Sequence, residues 1–393
     1  MAEKSMNKII GKAFLDIAES IETGRFGRKI RIGLTTLGSE KGSSNMIDGA
    51  LLALNKISDL EVVLIGEENT SGIETVIVEN EEEMYFAMEK LLDDGDIDAC
   101  VTLHYNFPIG VSTVGKVITP GMGRELFIAT TTGTSAIDRS QSLFANALFG
   151  IIAAKACGIK NPSVGILNID NAKNVERALR KLDENGYPIN FGESIRSDGG
   201  SIMRGNDLLK GSVDVMVTDT LTGNILMKVF SSYTTGGSYE SLGYGYGPGI
   251  GIDYNRNILI VSRASGVPVI AGALQYAYEL SKHNLDDVRT VEIKNAMNAG
   301  YQEIFNSLKK ADRKTTAEET IKEVPKEIVT ASISGIDIME LEDAVACLKS
   351  SGIYAESGMG CTGAVIMVNE RKLEKALECL ADKQFIAAEK SPC

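Results

Sequence analysis

The stretch from Lys29 to Gly66 constrains the fold more than any other. Ile30-Arg31-Ile32-Gly33-Leu34 reads as a strand, and it ends in a polar, glycine-bearing loop from Thr35 to Ser44. A helix is expected from about Met46 to Ile57, and Glu61 to Gly66 reads as a second strand. Strand, loop, helix and strand within about 40 residues describe a βαβ unit, which calls for a parallel sheet with helices laid across it. The loop is not GxGxxG, so the dinucleotide fingerprint is absent, and a plain turn and a ligand loop both stay open.

The alternation continues along the chain. Thr75 to Val78 reads as a short strand and Glu81 to Leu92 as a helix whose acidic start suits its dipole. Ile97 to Leu103 reads as a strand that delivers His104 at its C-terminal end, the edge where parallel sheets hold ligands. His104 is there as an acid/base candidate or as a hydrogen-bonded loop residue. Cys100 lies inside the strand and reads as core. Leu126 to Thr130 leads into Thr131-Thr132-Gly133-Thr134, whose hydroxyls and N–H groups could hold phosphate or cap a helix from Leu143 to Cys157. Asn161 to Ile169 gives a turn and a strand, Asn174 to Asn185 a helix, and Val213 to Val217 a strand running into Thr218–Asn224 and a further helix. The glycine-rich stretch 236–251, with Tyr239, Tyr244 and Tyr246, reads as a lid or contact loop, or as disorder. Ile258 to Val261 is expected as a last core strand, Ala271 to Lys282 and Val288 to Lys310 as helices, and Ala311 to Glu323 as a charged linker.

Beyond Pro325 the pattern differs. Ile328 to Ser332, Glu340 to Ser350, Ile353 to Glu356, Ala364 to Val368 and Arg371 to Ala381 give strand, helix, strand, strand and helix. The expected architecture is therefore α/β, a mostly parallel sheet with helices on both faces in a core over 29–325. A small C-terminal α+β module follows over 326–393, and an amphipathic helix precedes the core within 1–28. That N-terminal helix would carry Ile9, Ile10, Ala13, Phe14, Ile17 and Ile21 on one face.

Charge and composition remove several classes of function. The 40 basic and 53 acidic side chains give a net charge of −13, with no basic surplus to neutralise nucleic-acid phosphates. No apolar run is long enough to span a bilayer, and the N-terminal stretch lacks the apolar core of a signal peptide. The six cysteines have neither CxxC nor metal spacing and read as reduced thiols of a cytoplasmic protein. With only two histidines, His104 and His283, chemistry built on a histidine cluster is excluded and no metal site is expected.

Ser357-Gly358-Met359-Gly360-Cys361-Thr362-Gly363 places one thiol between glycines, in what reads as a loop ahead of the Ala364 strand. On local sequence Cys361 is either a nucleophile in a tight turn or a small buried hydrophobe. Flanking glycines let the backbone turn its N–H groups inward. There Gly360, Thr362 and Gly363 could stabilise a thiolate or an acyl oxygen.

Val213 to Lys228 resembles the VDVVVTDGFTGNVALK segment of the bacterial PlsX phosphate acyltransferases. Gly49–Leu54 with Glu61–Gly66, and Gly158–Ile169, match the same family in order, so the similarity covers roughly residues 29 to 325. The family's DAMGGD loop is replaced by Thr35–Glu40 and its Gly-Phe pair by Thr220-Leu221. More of the chain, Cys361 included, resembles the alpha subunits of component C of glycine/sarcosine/betaine reductase complexes. That resemblance implies that an acetyl group is carried on Cys361 and released by inorganic phosphate as acetyl phosphate. It implies a component C beta subunit and a carboxymethylated selenoprotein, component A, as partners, with no tightly bound cofactor. On the phosphate side the candidates are Asp219, Gly223, Asn224 and Lys228, with Thr132 and Thr134 behind them. Asp219 could orient a donor or cap its helix, and Lys228 could be a solvated helix lysine. His104 is the default base, and Lys116, Arg124 and Arg263 could balance phosphate charge. A phosphate acyltransferase using acyl-carrier protein and a non-catalytic scaffold subunit are the alternatives. A phosphotransacetylase using coenzyme A is a further alternative, for which the sequence has no recognisable pantetheine motif.

Overall fold

The computed structural model describes residues 29–196, 199–309, 324–327, 329, 331–336, 340–360, 363–383 and 385–386. The N-terminal helix expected within 1–28 and the linker expected over 311–323 lie outside the described residues.

The first βαβ unit forms as its sequence dictates: β1 (Ile30–Thr35), α1 (Ser43–Lys56) and β2 (Leu60–Gly66), with β1 and β2 parallel. There follow β3 (Thr75–Ile77), α2 (Glu81–Asp93), β4 (Ala99–Thr102), β5 (Val111–Ile118), β6 (Glu125–Thr134), α3 (Arg139–Ala156) and β7 (Ser163–Leu167). Next come α4 (Ala172–Glu184), β8 (Asn190–Phe191), β9 (Ile202–Met203), α5 (Gly205–Lys210), β10 (Val215–Val217) and α6 (Thr220–Ser232). The core closes with β11 (Gly247–Gly251), β12 (Ile258–Ile260), α7 (Val267–Lys282), α8 (Leu285–Asn298) and α9 (Tyr301–Ser307).

These strands make one 12-stranded sheet in the order β3-β2-β1-β4-β12-β11-β5-β6-β10-β7-β8, with β9 on β7. Most neighbours are parallel, but β11 is antiparallel to both β12 and β5, and β5 is antiparallel to β6. The strands on either side of this ribbon therefore run in opposite directions. C-terminal ends of β1, β2, β4 and β12 lie along one edge of the sheet, and those of β6, β7 and β10 along the other.

Helices cover both faces. Period-two alternation sends Val62 and Leu64 into one core and Val63 and Ile65 into another. The larger core takes in α1, α3, α4, α7, α8 and α9, while α2 and α6 pack on the opposite face. Helix α3 is buried along nearly its whole length, as an apolar-all-round helix must be. Its Gly150 lets it press on the sheet, since a Cβ there would stand 2.4 Å from Val215 Cγ1.

Three expectations need correction. The glycine-rich stretch 236–251 is loop only as far as Tyr246: Gly247–Gly251 is a buried strand in mid-sheet, and Tyr246 before it is buried. Its glycines permit close approach, since a Cβ on Gly247 would stand 1.7 Å from the Val114 carbonyl oxygen. The long helix expected from Val288 is two helices, broken where Gly300 adopts φ 83°. Strand β5 was not foreseen, because Lys116 and Gly115 interrupt its apolar pattern. Lys116 is 2% exposed and pairs with Glu125 (2.8 Å) and Glu279 (2.9 Å).

The C-terminal module is a separate sheet, β13-β15-β14, made by β13 (Ala331–Ser334), β14 (Ala355–Gly360) and β15 (Gly363–Val368), with helices α10 (Leu341–Ser350) and α11 (Leu373–Asp382). It has its own apolar core, including Ile333, Leu348, Ile366 and Leu380. Part of the expected loop is strand: Ser357 to Gly360 belong to β14 and pair antiparallel with β15, through to Gly360 opposite Gly363. Contact with the main body comes at α4. Arg177 pairs with Glu340 at 3.0 Å, and the Lys173 ammonium lies beside Gly335.

Candidate functional site

The strand-to-helix corners after β6 and β10 meet at one edge of the sheet. Asp219 is the N-cap of α6, accepting from the Thr222 N–H (3.0 Å) and the Thr222 hydroxyl (2.8 Å). Arg139, the first residue of α3, reaches Asp219 at 3.4 Å and Asp170 at 3.1 Å. Burial works against charge on Asp219, but the Thr222 hydrogen bonds and Arg139 outweigh it and hold the carboxyl below the usual carboxylate range. Thr220 donates to the Gly133 carbonyl at 2.9 Å, and Asn224 Nδ2 to the Thr131 carbonyl at 3.2 Å. These two bonds lock the first turn of α6 against the Thr131–Thr134 corner.

Gly223 is required by that docking. A Cβ on it would stand 1.7 Å from the Thr130 carbonyl oxygen and 2.9 Å from its carbon. Beneath the corner the hydroxyls satisfy one another. Thr113 Oγ1 lies 2.6 Å from Thr131 Oγ1 and 2.9 Å from Thr132 Oγ1, and Asn146 accepts from Ser112 and Ser135 while donating to the Thr218 carbonyl. The Thr218 hydroxyl, buried just before the cap, has no hydrogen-bond partner among the described residues. Thr134 stands exposed at the end of β6.

The structure thus gathers Asp219, Gly223, Asn224, Thr132 and Thr134. It adds Arg139 and Asp170, whose only sequence signal was an Asp-Arg pair (Asp138, Arg139) opening a long apolar helix. Two candidates stand elsewhere. Lys228 sits two turns along α6, bonded at 2.6 Å to both Glu240 and Ser262. His104 follows β4, whose direction places it at the opposite edge of the sheet. Of the other cations, Lys116 is buried and held by Glu125 and Glu279, and Arg124 is bonded to Asp214 and the Gly211 carbonyl. Arg263 belongs to the edge that carries His104, beyond the end of β12.

Cys361 and Thr362 lie outside the described residues; Gly360 and Gly363, on either side of them, are paired in the hairpin. Cys100 is core, and burial pushes its thiol far up, away from nucleophilic use. Cys157 is pushed up by burial as well. Among the described residues no group of three or more His, Cys, Asp or Glu side chains is gathered for a metal, and no helix is long and apolar enough to cross a membrane.

The family described as fatty acid synthesis protein matches residues 30–392. The chain belongs to it. Within this family the chain is similar to the glycine/sarcosine/betaine reductase complex component C subunit alpha of Peptoclostridium acidaminophilum. The two are 59% identical over 382 residues, 97% of this chain and 99% of the relative. It is also similar to the phosphate acyltransferase of Thermotoga petrophila, at 27% identity over 235 residues, covering 51% of this chain and 67% of that protein. The solved structure of a branched-chain phosphotransacylase from Enterococcus faecalis V583 aligns with 65% of this chain and 100% of its own. The TM-score is 0.45 at 16% identity, a likeness too low to carry an argument.

Proposed function

We propose that the chain forms acetyl phosphate by phosphorolysis of an acetyl thioester on Cys361. The acetyl unit comes from a carboxymethylated selenoprotein, component A, in a glycine-reductase-type complex of the cytoplasm, and a component C beta subunit completes the assembly. The observation that carries this reading is the 59% identity, over 97% of the chain, with a component C alpha subunit. The phosphate acyltransferase relatives support the reaction class.

In the step itself an oxygen of hydrogen phosphate attacks the thioester carbon and the carbon–sulfur bond breaks. Sulfur leaves as thiolate, and the phosphate proton passes to it or to water. N–H groups of Gly360, Thr362 and Gly363 are the proposed donors to the developing oxyanion. The phosphate-side assignment rests on the start of α6. Helix N-termini attract anions, Arg139 is a half-exposed cation there shared with Asp170 and Asp219, and Thr134 supplies an exposed hydroxyl. Asp219 positions Arg139 and caps the helix rather than touching phosphate, and Asn224 holds the corner closed. The module's position supports a shared site. Lys173 and Arg177, its contacts on α4, lie in the first two turns after β7, on the same edge as Thr134 and Asp219.

Incubation with labelled acetyl phosphate tests the reading. The wild-type chain is expected to take up acid-stable acetyl label and to exchange it in a phosphate-dependent way, and Cys361→Ser to do neither. Retained labelling and exchange in Cys361→Ser would sink it. A second reading, acyl phosphate formation from acylated carrier protein, is favoured by the phosphate acyltransferase relatives. It predicts turnover of acyl-carrier protein with no selenoprotein present.

A further inference from the structure

The C-terminal module places two thiols in contact. Cys347 and Cys379 stand 3.7 Å apart, sulfur to sulfur, and the Ser351 hydroxyl lies 3.3 Å from Cys379 Sγ. The sequence arranges this by repetition. Cys347 precedes Leu348 in the last turn of α10, and Cys379 precedes Leu380 in the last turn of α11. Leu348 and Leu380 are fully buried in the module's core, so each preceding residue is carried to the margin of the buried stripe. Both cysteines are accordingly half-buried, near the exposed Ser351 and Lys383. Cys100, by contrast, is fully buried within the main sheet.

Contact and exposure together set this pair apart from thiols that serve only as small apolar fillers, which need neither. Bringing the sulfurs from 3.7 Å to a bond length of about 2.05 Å takes a shift of roughly 1.7 Å, shared between side chains on two neighbouring helices. The bond would join residues 32 positions apart. The segment between them contains the whole β14–β15 hairpin, with Gly360 opposite Gly363 at its tip. The module over 326–393 spans fewer than about 70 residues, a size at which an apolar core alone holds a fold weakly and a covalent staple counts.

We propose that Cys347 and Cys379 form a reversible dithiol–disulfide site that exchanges with the disulfide of a low-molecular-weight thiol, and that its oxidised form staples α10 to α11 across the hairpin. Sulfurs half-buried between two helices admit a small reagent more readily than the disulfide of a folded protein. One protein thiolate attacks a sulfur of the incoming disulfide, a mixed disulfide forms and the first small thiolate leaves. The second protein thiolate attacks the protein sulfur of that mixed disulfide, the ring closes and the second small thiolate leaves. The protein gives up two electrons, which reduce the incoming disulfide, and the two protons of its thiols pass through water to the released thiolates. A net charge of −13 disfavours an acidic oxidant, so a neutral disulfide is the better reagent. The inference does not depend on the reaction proposed above.

Treatment of the full chain with millimolar 2-hydroxyethyl disulfide, followed by alkylation, digestion and mass mapping, tests it. The expected product is a cross-linked peptide joining Cys347 to Cys379, absent before oxidation and abolished by dithiothreitol, while Cys100 stays a free thiol. Hydrogen exchange gives a second reading. Amides of β14 and β15 should open about 10-fold more slowly, or slower still, in the oxidised chain. Cys347→Ser, treated alike, should show no such slowing and should keep one hydroxyethylthio group on Cys379, the stalled mixed disulfide. Cys347 and Cys379 modified singly, linked to other cysteines or left as free thiols overturn the proposal. So does a cross-linked chain whose β14–β15 amides exchange as fast as before. Should Cys347→Ser fail to fold, the wild-type peptide map decides by itself.

Discussion

Gly223→Ala is the substitution on which the corner geometry can be judged most directly. An added methyl would lie 1.7 Å from the Thr130 carbonyl oxygen. Reaching an ordinary contact of about 3.5 Å requires the helix and strand to separate by about 1.8 Å. The obstacle is backbone in β6, which cannot swing aside as a side chain would. Overpacking of this kind costs about 3 kcal/mol at the upper end of its usual range, and replacing glycine by alanine inside a helix returns about 1 kcal/mol. The net expectation is a loss of about 2 kcal/mol, roughly a 30-fold shift toward the unfolded state. Urea unfolding followed by far-UV circular dichroism measures it. Gly205→Ala is the control, because a Cβ there meets nothing within 4 Å and its backbone is not left-handed. The variant should also require more phosphate, since the Asn224–Thr131 bond at 3.2 Å cannot survive the separation. A Gly223→Ala midpoint equal to the wild type would refute the close-approach argument and detach this glycine from the site.

Two further substitutions probe charge. Asp219 has its folded carboxyl value lowered, so its contribution is complete above the unfolded value near 3.9 and is lost as pH falls through the folded value. The stability gap between wild type and Asp219→Asn should therefore be flat near neutrality and close below about pH 4, as read from urea midpoints against pH. Lys116→Met removes the cation between Glu125 and Glu279, whose carboxylates are partly open to solvent, so losing their charged hydrogen bonds should cost about 1–3 kcal/mol. Burial opposes the Lys116 charge, but the two glutamates outweigh it and raise the ammonium above its ordinary value. Its contribution is thus present below the unfolded value near 10.4 and fades only in stronger alkali, where the variant's deficit should narrow.

Local signals in the sequence were enough for the repeating strand–helix units and for the module's βαββα order, because each was carried by nearby residues. Strand β5 was hidden because Lys116 owes its burial to Glu279, a residue 163 positions away. Strand β11 was hidden because glycines that admit Val114 and Phe107 look, in one dimension, like a flexible loop. In the candidate site, Asp219 was legible as a possible helix cap, while Gly223 and Asn224 were reached through the resemblance as phosphate-side candidates and not as the close-packed turn they form. Arg139 was not, since only the parallel pairing of β6 with β10 brings α3 beside α6. The separation of His104 from that corner was equally hidden. It follows from the reversal of strand direction at β5 and β11, which no local pattern encodes.

The strand order also decides how this protein can stick to anything. Its large sheet ends in its shortest members, β3 with three residues and β8 with two. Among the described residues such stubs offer few unpaired backbone groups, so the sheet is a poor template for another chain at either end. The well-formed backbone ladders are all internal. Adhesion through the main body is left to side chains on helices, where it can be specific, saturable and reversible, and away from the open-ended strand pairing that builds fibres.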